Sequence, residues 1–194
     1  MKRLSFLALA LPVLLVACST GDTATTRTPK GNPSAKVLVE EFADLQCPAC
    51  RSAHTLVTTP LLAQYGEKIR FEFKHFPLRS VHRFALDAAE MSECAADQGK
   101  FWEFVDKAYE KQEDLSEDAL AEWASEIGID ADAAGTCLKS HRKRGIVLGD
   151  YEIGRSRNVA GTPTYFVNGV LVQTGLETLG AAIDAALSGP SMPL

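Results

Sequence analysis

Cys47-Pro48-Ala49-Cys50 places two thiols about one helical turn apart. Such a pair can close a small disulfide ring and open it again. Exchange needs a thiolate, which attacks a disulfide sulfur and forms a mixed disulfide. An apolar run precedes the pair and a helical pattern follows it, so Cys47 stands at a helix start. Unpaired N–H groups and the positive end of the helix dipole favour a thiolate there. Cys47 is therefore read as the low-pKa nucleophile and Cys50, one turn on, as the resolving thiol. A purely structural bridge is the alternative. Zinc is disfavoured, because no second pair with this spacing is present. His54, seven residues after Cys47, could join the thiols as a soft metal site or stabilise the thiolate. The preferred reading is a half-exposed packing residue. His75, His82 and His141 show no ligand spacing with each other, and no metal or cofactor is assigned.

The elements around the pair read as mixed α/β. Residues 37–43 (VLVEEFA) are apolar on both sides up to the two acids, as in a central strand covered by helices. Pro48 suits the first helical position, where its missing N–H costs nothing. Ala53, Leu56, Val57, Leu61 and Ala63 continue an apolar stripe, and Pro60 should kink it. Residues 69–74 (IRFEFK) alternate apolar with charged, which predicts a half-buried strand parallel to the first. From about residue 79 to 158 the pattern turns helical. Phe101, Phe104, Val105, Ala108 and Tyr109 make the cleanest amphipathic set, and Ser116 is expected to cap a helix. Trp102 and Trp123 read as insert core, and the run His141-Arg142-Lys143-Arg144 as a solvated helix start. Residues 164–173 carry Asn168-Gly169 between two β-rich runs, a hairpin signal. Leu179, Ala182, Ile183 and Ala186 close the pattern with a helix.

The start of the chain predicts export. Lys2 and Arg3 precede a nearly wholly apolar run over residues 4–16, too short to span a bilayer. Leu15-Val16-Ala17-Cys18 resembles the lipobox of bacterial lipoproteins, which implies cleavage before Cys18 and lipid on it. An ordinary signal with an accidental Cys18 is the alternative. Residues 19–36 hold no large apolar side chain and read as a flexible tether. The chain carries a formal charge of −5; without Lys2 and Arg3, 18 basic groups face 25 acidic ones, or −7. That excludes nucleic acid as the main partner. Five cysteines less Cys18 leave four. With Cys47 and Cys50 paired locally, Cys94 and Cys137 are expected to form a structural disulfide. Two free buried thiols are the alternative.

Around the pair the chain resembles the thioredoxin superfamily, in its DsbA-like branch. The resemblance covers residues 37–187 and rests on Cys47-Pro48-Ala49-Cys50 and on Gly161-Thr162-Pro163-Thr164. It implies a thioredoxin fold, residues 37–78 and 159–188, with a helical domain, residues 79–158, inserted between its βαβ and ββα halves. Residues 1–17 are assigned to the signal and 18–36 to the tether. It implies a cis Pro163 beside the cysteines, with Thr162 touching the nucleophile's surroundings; the residues alone read as a trans turn. It places Glu41 at the position of a buried acid, able to relay the proton of the resolving cysteine. Glu40 and Glu41 point to opposite faces, so one must meet a covered side, unless both lie at a solvated strand end. Asp44 reads as a surface acid.

The function expected is an exported, membrane-anchored protein thiol–disulfide oxidoreductase that oxidises cysteines of folding envelope proteins. It would face the periplasm or extracytoplasmic space as a monomer, with a membrane redox partner. A reductase of the same fold remains open. An isomerase is disfavoured, because such isomerases usually carry an N-terminal dimerisation domain. A rival of another class is a copper-binding envelope lipoprotein using Cys47, Cys50 and His54.

Overall fold

The structure, a computed structural model, describes residues 21–189, so the expectations for the signal segment and Cys18 lie outside it. Its strands are β1 (Lys30–Gly31), β2 (Val37–Ala43), β3 (Ile69–His75), β4 (Thr164–Val167) and β5 (Val170–Val172). They form one sheet in the order β1-β3-β2-β4-β5. β2 and β3 are parallel, with Glu41 beside Phe73, and the other pairings are antiparallel. The βαβ half and the hairpin half thus meet at β2, the central strand. Asn168 and Gly169 both have positive φ, as the tight turn between β4 and β5 requires.

α1 (Pro48–Ala53) follows β2 with Pro48 in its first turn. It runs into a π-helical turn (His54–Thr58) and then α2 (Thr59–Tyr65). Pro60 cannot return an N–H to the Leu56 carbonyl, and the chain widens to a π turn in which Thr59 N–H bonds His54 O. The extra residue rotates the stripe. Val57 and Thr58 turn inward, while Leu56 is 69% exposed. Leu56 and Ala63 therefore do not belong to the buried face expected of them.

The insert holds α3 (Ala85–Ala96), α4 (Phe101–Glu110), α5 (Glu117–Glu126), α6 (Ala131–Lys139) and α7 (Arg144–Ser156). Ser116 caps α5 by accepting from Ala119 N–H, and Asp130 caps α6 in the same way. A disulfide joins Cys94 of α3 to Cys137 of α6, with Cα atoms 6.0 Å apart. α7 returns to the sheet. A Cβ on Gly154 would stand 2.7 Å from the Phe76 ring and 3.0 Å from Phe42, so only glycine allows this approach. α8 (Leu176–Ser188) completes the fold.

Three buried clusters divide the core. Val39, Leu61, Phe71, Tyr165, Leu179 and Ile183 fill the sheet face under α2 and α8. Phe42, Phe76, Val159 and Phe166 fill the opposite face under α7. The third cluster runs from Leu45, Cys47, Cys50 and Phe73 into the insert around Phe104, Leu120 and Trp123. The two cysteines therefore sit on the seam between the α/β body and the insert.

Residues 22–32 differ from the flexible tether expected of them. β1 pairs with β3, and Gly31 takes φ +81° where a Cβ would meet the Ile69 carbonyl at 2.5 Å. Arg27 bridges Glu93 and Asp150, its side chain only 8% exposed. Trp102 Nε1 donates to Thr28 O, and Lys30 lies over the Trp102 ring. Asp22 N–H donates to Arg142 O, and Lys143 Nζ reaches both Asp22 and Asp97. Lack of large apolar residues does not keep this stretch loose, because ionic and backbone bonds hold it. The run His141-Arg142-Lys143-Arg144 is accordingly no solvated helix start. Lys143 is buried, Arg142 pairs with Asp97, and Arg144 pairs with Glu90. Trp102 is only partly buried; it packs against the insert core and also holds the strap formed by residues 22–32.

Candidate active site

β2 delivers the chain to a loop, residues 44–47, and α1 begins at its end. Cys47 and Cys50 are both free thiols, 6% and 0% exposed. Cys47 Sγ lies 3.6 Å from the Thr162 carbonyl, and the Thr162–Pro163 peptide is cis. The loop before β4 therefore faces the nucleophile position directly. Asp44 N–H points at Cys50 Sγ across 3.5 Å.

The two thiols are pushed in opposite directions. Cys47 falls to about 5, chiefly through the hydrogen bond from the Cys50 thiol. Burial opposes that fall, while Thr162 and the N–H groups of Cys50 and Ala49 add to it. The helix start expected to activate Cys47 thus contributes, but the partner thiol contributes more. Burial pushes Cys50 well above an ordinary thiol, and its bond to Cys47 adds to that. One sulfur is a thiolate at neutral pH and its neighbour keeps its proton.

Glu41, in β2 six residues before Cys47, is 1% exposed. Tyr165 OH donates to its Oε1 at 2.9 Å, and Thr58 Oγ1 donates to its Oε2 at 3.2 Å. Burial raises Glu41 above the ordinary carboxylate; the Tyr165 bond, the His54 charge and the Thr58 bond offset part of the rise. The π turn that exposes Leu56 is what aims Thr58 at Glu41. Glu40, on the other face, is paired with Arg157 at 2.7 Å, so neither acid lies at a solvated strand end.

Asp44 is 2% exposed, which corrects its reading as a surface acid. Its Oδ1 accepts from Gln46 N–H, and its Oδ2 from Leu78 N–H and His82 Nδ1. The carboxylate thus folds the loop before Cys47, because a loop at the seam must satisfy its backbone groups without water. Gln112, in a 3₁₀ turn (Gln112–Asp114) after α4, donates from Nε2 to both Leu45 O and Cys47 O. Gln46 Oε1 in turn accepts from Phe84 N–H at the start of α3. Gln46 and Gln112 were not singled out from sequence, and Asp44 was read only as a surface acid. A glutamine 65 residues after Cys47 carries no local signal of the contact.

His54 does not converge with the thiols. Its Nε2 lies 3.0 Å from Asp106 Oδ1, and its ring stacks on Tyr109 with centroids 4.9 Å apart. Among the described residues, the one cluster with metal-ligand spacing is Asp87, Glu90 and His141, where Arg144 already occupies Glu90.

The thioredoxin family model matches residues 23–185. The chain belongs to the thioredoxin family. Its fold is that of BdbD from Bacillus subtilis, with a TM-score of 0.76, 21% identity, and 87% of this chain and 99% of that one covered. The thiol-disulfide exchange protein α-DsbA2 of Wolbachia pipientis superposes with a TM-score of 0.71 at 23% identity, over 82% and 86% of the two chains. Curated relatives include the Na(+)/H(+) antiporter NhaA 3 of Salinispora tropica, 36% identical over 82% of this chain and 24% of that protein. NhaA 1 of Mycolicibacterium vanbaalenii is 33% identical over 73% and 23%. This chain spans about a quarter of the length of the curated relatives it matches. Among the described residues no helix is long and apolar enough to cross a membrane.

Proposed function

We propose that this chain is an extracytoplasmic protein thiol–disulfide oxidoreductase that oxidises cysteine pairs in folding envelope proteins. The observation that carries the reading is the opposed pair, Cys47 lowered to about 5 and Cys50 raised, beside Thr162. In the oxidised protein a client thiolate attacks Cys47 Sγ. A mixed disulfide forms, and Cys50 leaves as a thiolate and takes up a proton. A second client thiolate then attacks the client sulfur, the client disulfide closes, and Cys47 leaves as a thiolate. The two electrons remain in the Cys47–Cys50 dithiol and pass to a membrane redox partner. A low pKa makes Cys47 a good leaving group and stabilises the reduced protein, which drives the cycle towards client oxidation. Glu41 supplies and recovers the proton of Cys50. Cys18 carries the lipid that keeps the domain at the membrane.

Equilibration of Cys47–Cys50 with glutathione tests the direction. The expected potential lies nearer roughly −120 mV than roughly −270 mV, the oxidising and reducing ends for such dithiols. A value at the reducing end makes the protein a reductase. Cys50→Ser should trap clients as mixed disulfides on Cys47. Tight copper binding by the reduced protein, without exchange, replaces this reading by the metal-binding one.

A further inference from the structure

Tyr109 of α4 is 2% exposed, and its hydroxyl has no protein partner among the described residues. A buried hydroxyl without a partner is costly, and water is the usual partner in a polar site. The ring belongs to the same buried cluster as Leu45, Cys47 and Cys50. Burial pushes this hydroxyl well above an ordinary tyrosine, and ionisation of Cys50 in α1, Glu41 in β2, Tyr165 in β4 or Asp44 in the loop would push it further. Tyr109 also lines an open cleft of about 560 Å³ between the π turn and α4. His54 and Asp106 line that cleft, 3.0 Å apart, and Arg51 and Glu110 flank them. Lys30 reaches Asp106 from β1 at 3.6 Å. Tyr109 therefore belongs both to the buried cluster of the thiols and to the wall of the cleft.

We propose that Tyr109 is a positioning residue for proton exchange at Cys50, holding with its hydroxyl the water that links the Glu41–Cys50 region to the His54–Asp106 cleft. This rests on the thiol–disulfide reading above. When Cys50 resolves a mixed disulfide on Cys47, a new Cys47–Cys50 bond forms and the bound thiol leaves as a thiolate. The Cys50 proton passes to Glu41 and leaves through the Tyr109-held water. When Cys50 is expelled, the same route returns a proton to it. Cys47 is a thiolate at neutral pH and needs no such route. His54 and Asp106 are the polar groups at the cleft end of this route.

The test uses the reduced protein mixed rapidly with oxidised glutathione. The Cys47–glutathione adduct is followed by acid quench and mass spectrometry, across pH and in heavy water. Tyr109→Phe keeps the ring packed on His54 and removes only the hydroxyl. Resolution by Cys50 should slow roughly tenfold, below the ~100-fold typical of direct acid–base groups. Its pH profile and solvent isotope effect should change, while the pH midpoint for alkylation of Cys47 stays put. His54→Gln, at the cleft wall, should alter the same pH profile, and it serves if Tyr109→Phe does not fold. Unchanged resolution, profile and isotope effect overturn the proposal. A shifted Cys47 midpoint also overturns it, because the ring would then be merely structural. If the unsubstituted protein forms neither the adduct nor the Cys47–Cys50 disulfide, the thiol–disulfide reading fails instead.

Discussion

At the scale of single residues, the site separates two chemically identical side chains by environment. Cys47 shares the proton of its neighbour and meets backbone N–H groups, while Cys50 is enclosed by Leu45 and the insert core. Alkylation of the reduced protein by iodoacetamide should therefore rise with a midpoint near pH 5 and modify Cys47 alone through neutral pH. A midpoint near 8.5, the ordinary thiol value, sinks the assignment. The sign for stability follows. A folded pKa below the unfolded one stabilises the reduced protein fully above the unfolded thiol pKa, and the gain is lost as pH falls through about 5. The stability difference between the reduced protein and Cys47→Ser should shrink from pH 8 to pH 4 in urea titrations. Glu41→Gln keeps acceptor and shape but cannot carry the proton, so it should slow steps that release or protonate Cys50 by roughly 100-fold. Equal rates in both proteins would remove Glu41 from the cycle. The Cys-x-x-Cys pair was legible because its chemistry is local in sequence. Asp44 and Gln112 were not, because each acts on backbone groups that only the folded loop brings near it.

The elements show the same division. Strands and helices followed from apolar periodicity, and the tight hairpin from Asn168-Gly169, since those signals lie within a few residues. The strap over residues 22–32 was illegible because hydrophobicity does not hold it. Burial alone would raise Glu93, but the hydrogen bond and charge of His75, with the charge of Arg27, hold it at about 2. Arg27→Ala leaves two buried acids, Glu93 and Asp150, without their guanidinium, and should cost about 3 kcal/mol. The pH sign is again that of a lowered acid. The stability Glu93 contributes is present above its unfolded pKa near 4.5 and is lost as pH falls through about 2. Arg27→Ala moves the folded pKa of Glu93 back towards 4.5, so the variant should lose less stability than the parent as pH falls, and the two curves should converge at low pH. Thermal melts of both proteins between pH 2 and 6 decide this, and parallel curves would count against the strap's ionic anchor. The α3–α6 disulfide closes a loop across a separation of 43 residues. Replacing Cys94 and Cys137 by serine should cost about 4 kcal/mol by the loop-entropy argument. The double variant should keep its Cys47 midpoint, because Cys94 lies ten residues, about 15 Å, along α3 from Phe84, where the loop over residues 44–47 is tied.

For the whole molecule, the strap changes what an anchor at Cys18 would mean. A free tether over residues 18–36 would let the domain range up to roughly 60 Å from its lipid. The strap is bonded from Asp22 onward, which leaves a reach of only about 14 Å between Cys18 and the body. The attachment point is the end of α3 marked by Asp97, Arg142 and Lys143. The redox loop is tied to the opposite end of α3, where Phe84 N–H meets Gln46. A helix of 12 residues separates the two ends by about 18 Å. An anchored domain should therefore hold its dithiol within a limited range of heights above the bilayer. Energy transfer from a dye on Cys47 to acceptor lipids, with the lipidated protein in vesicles, measures this. A narrow distance distribution is expected for the parent and a broader one for Arg27→Ala combined with Lys143→Ala, which frees the strap. If both proteins give the same broad distribution, the strap does not orient the domain. If both give the same narrow one, contacts other than Arg27 and Lys143 must fix it.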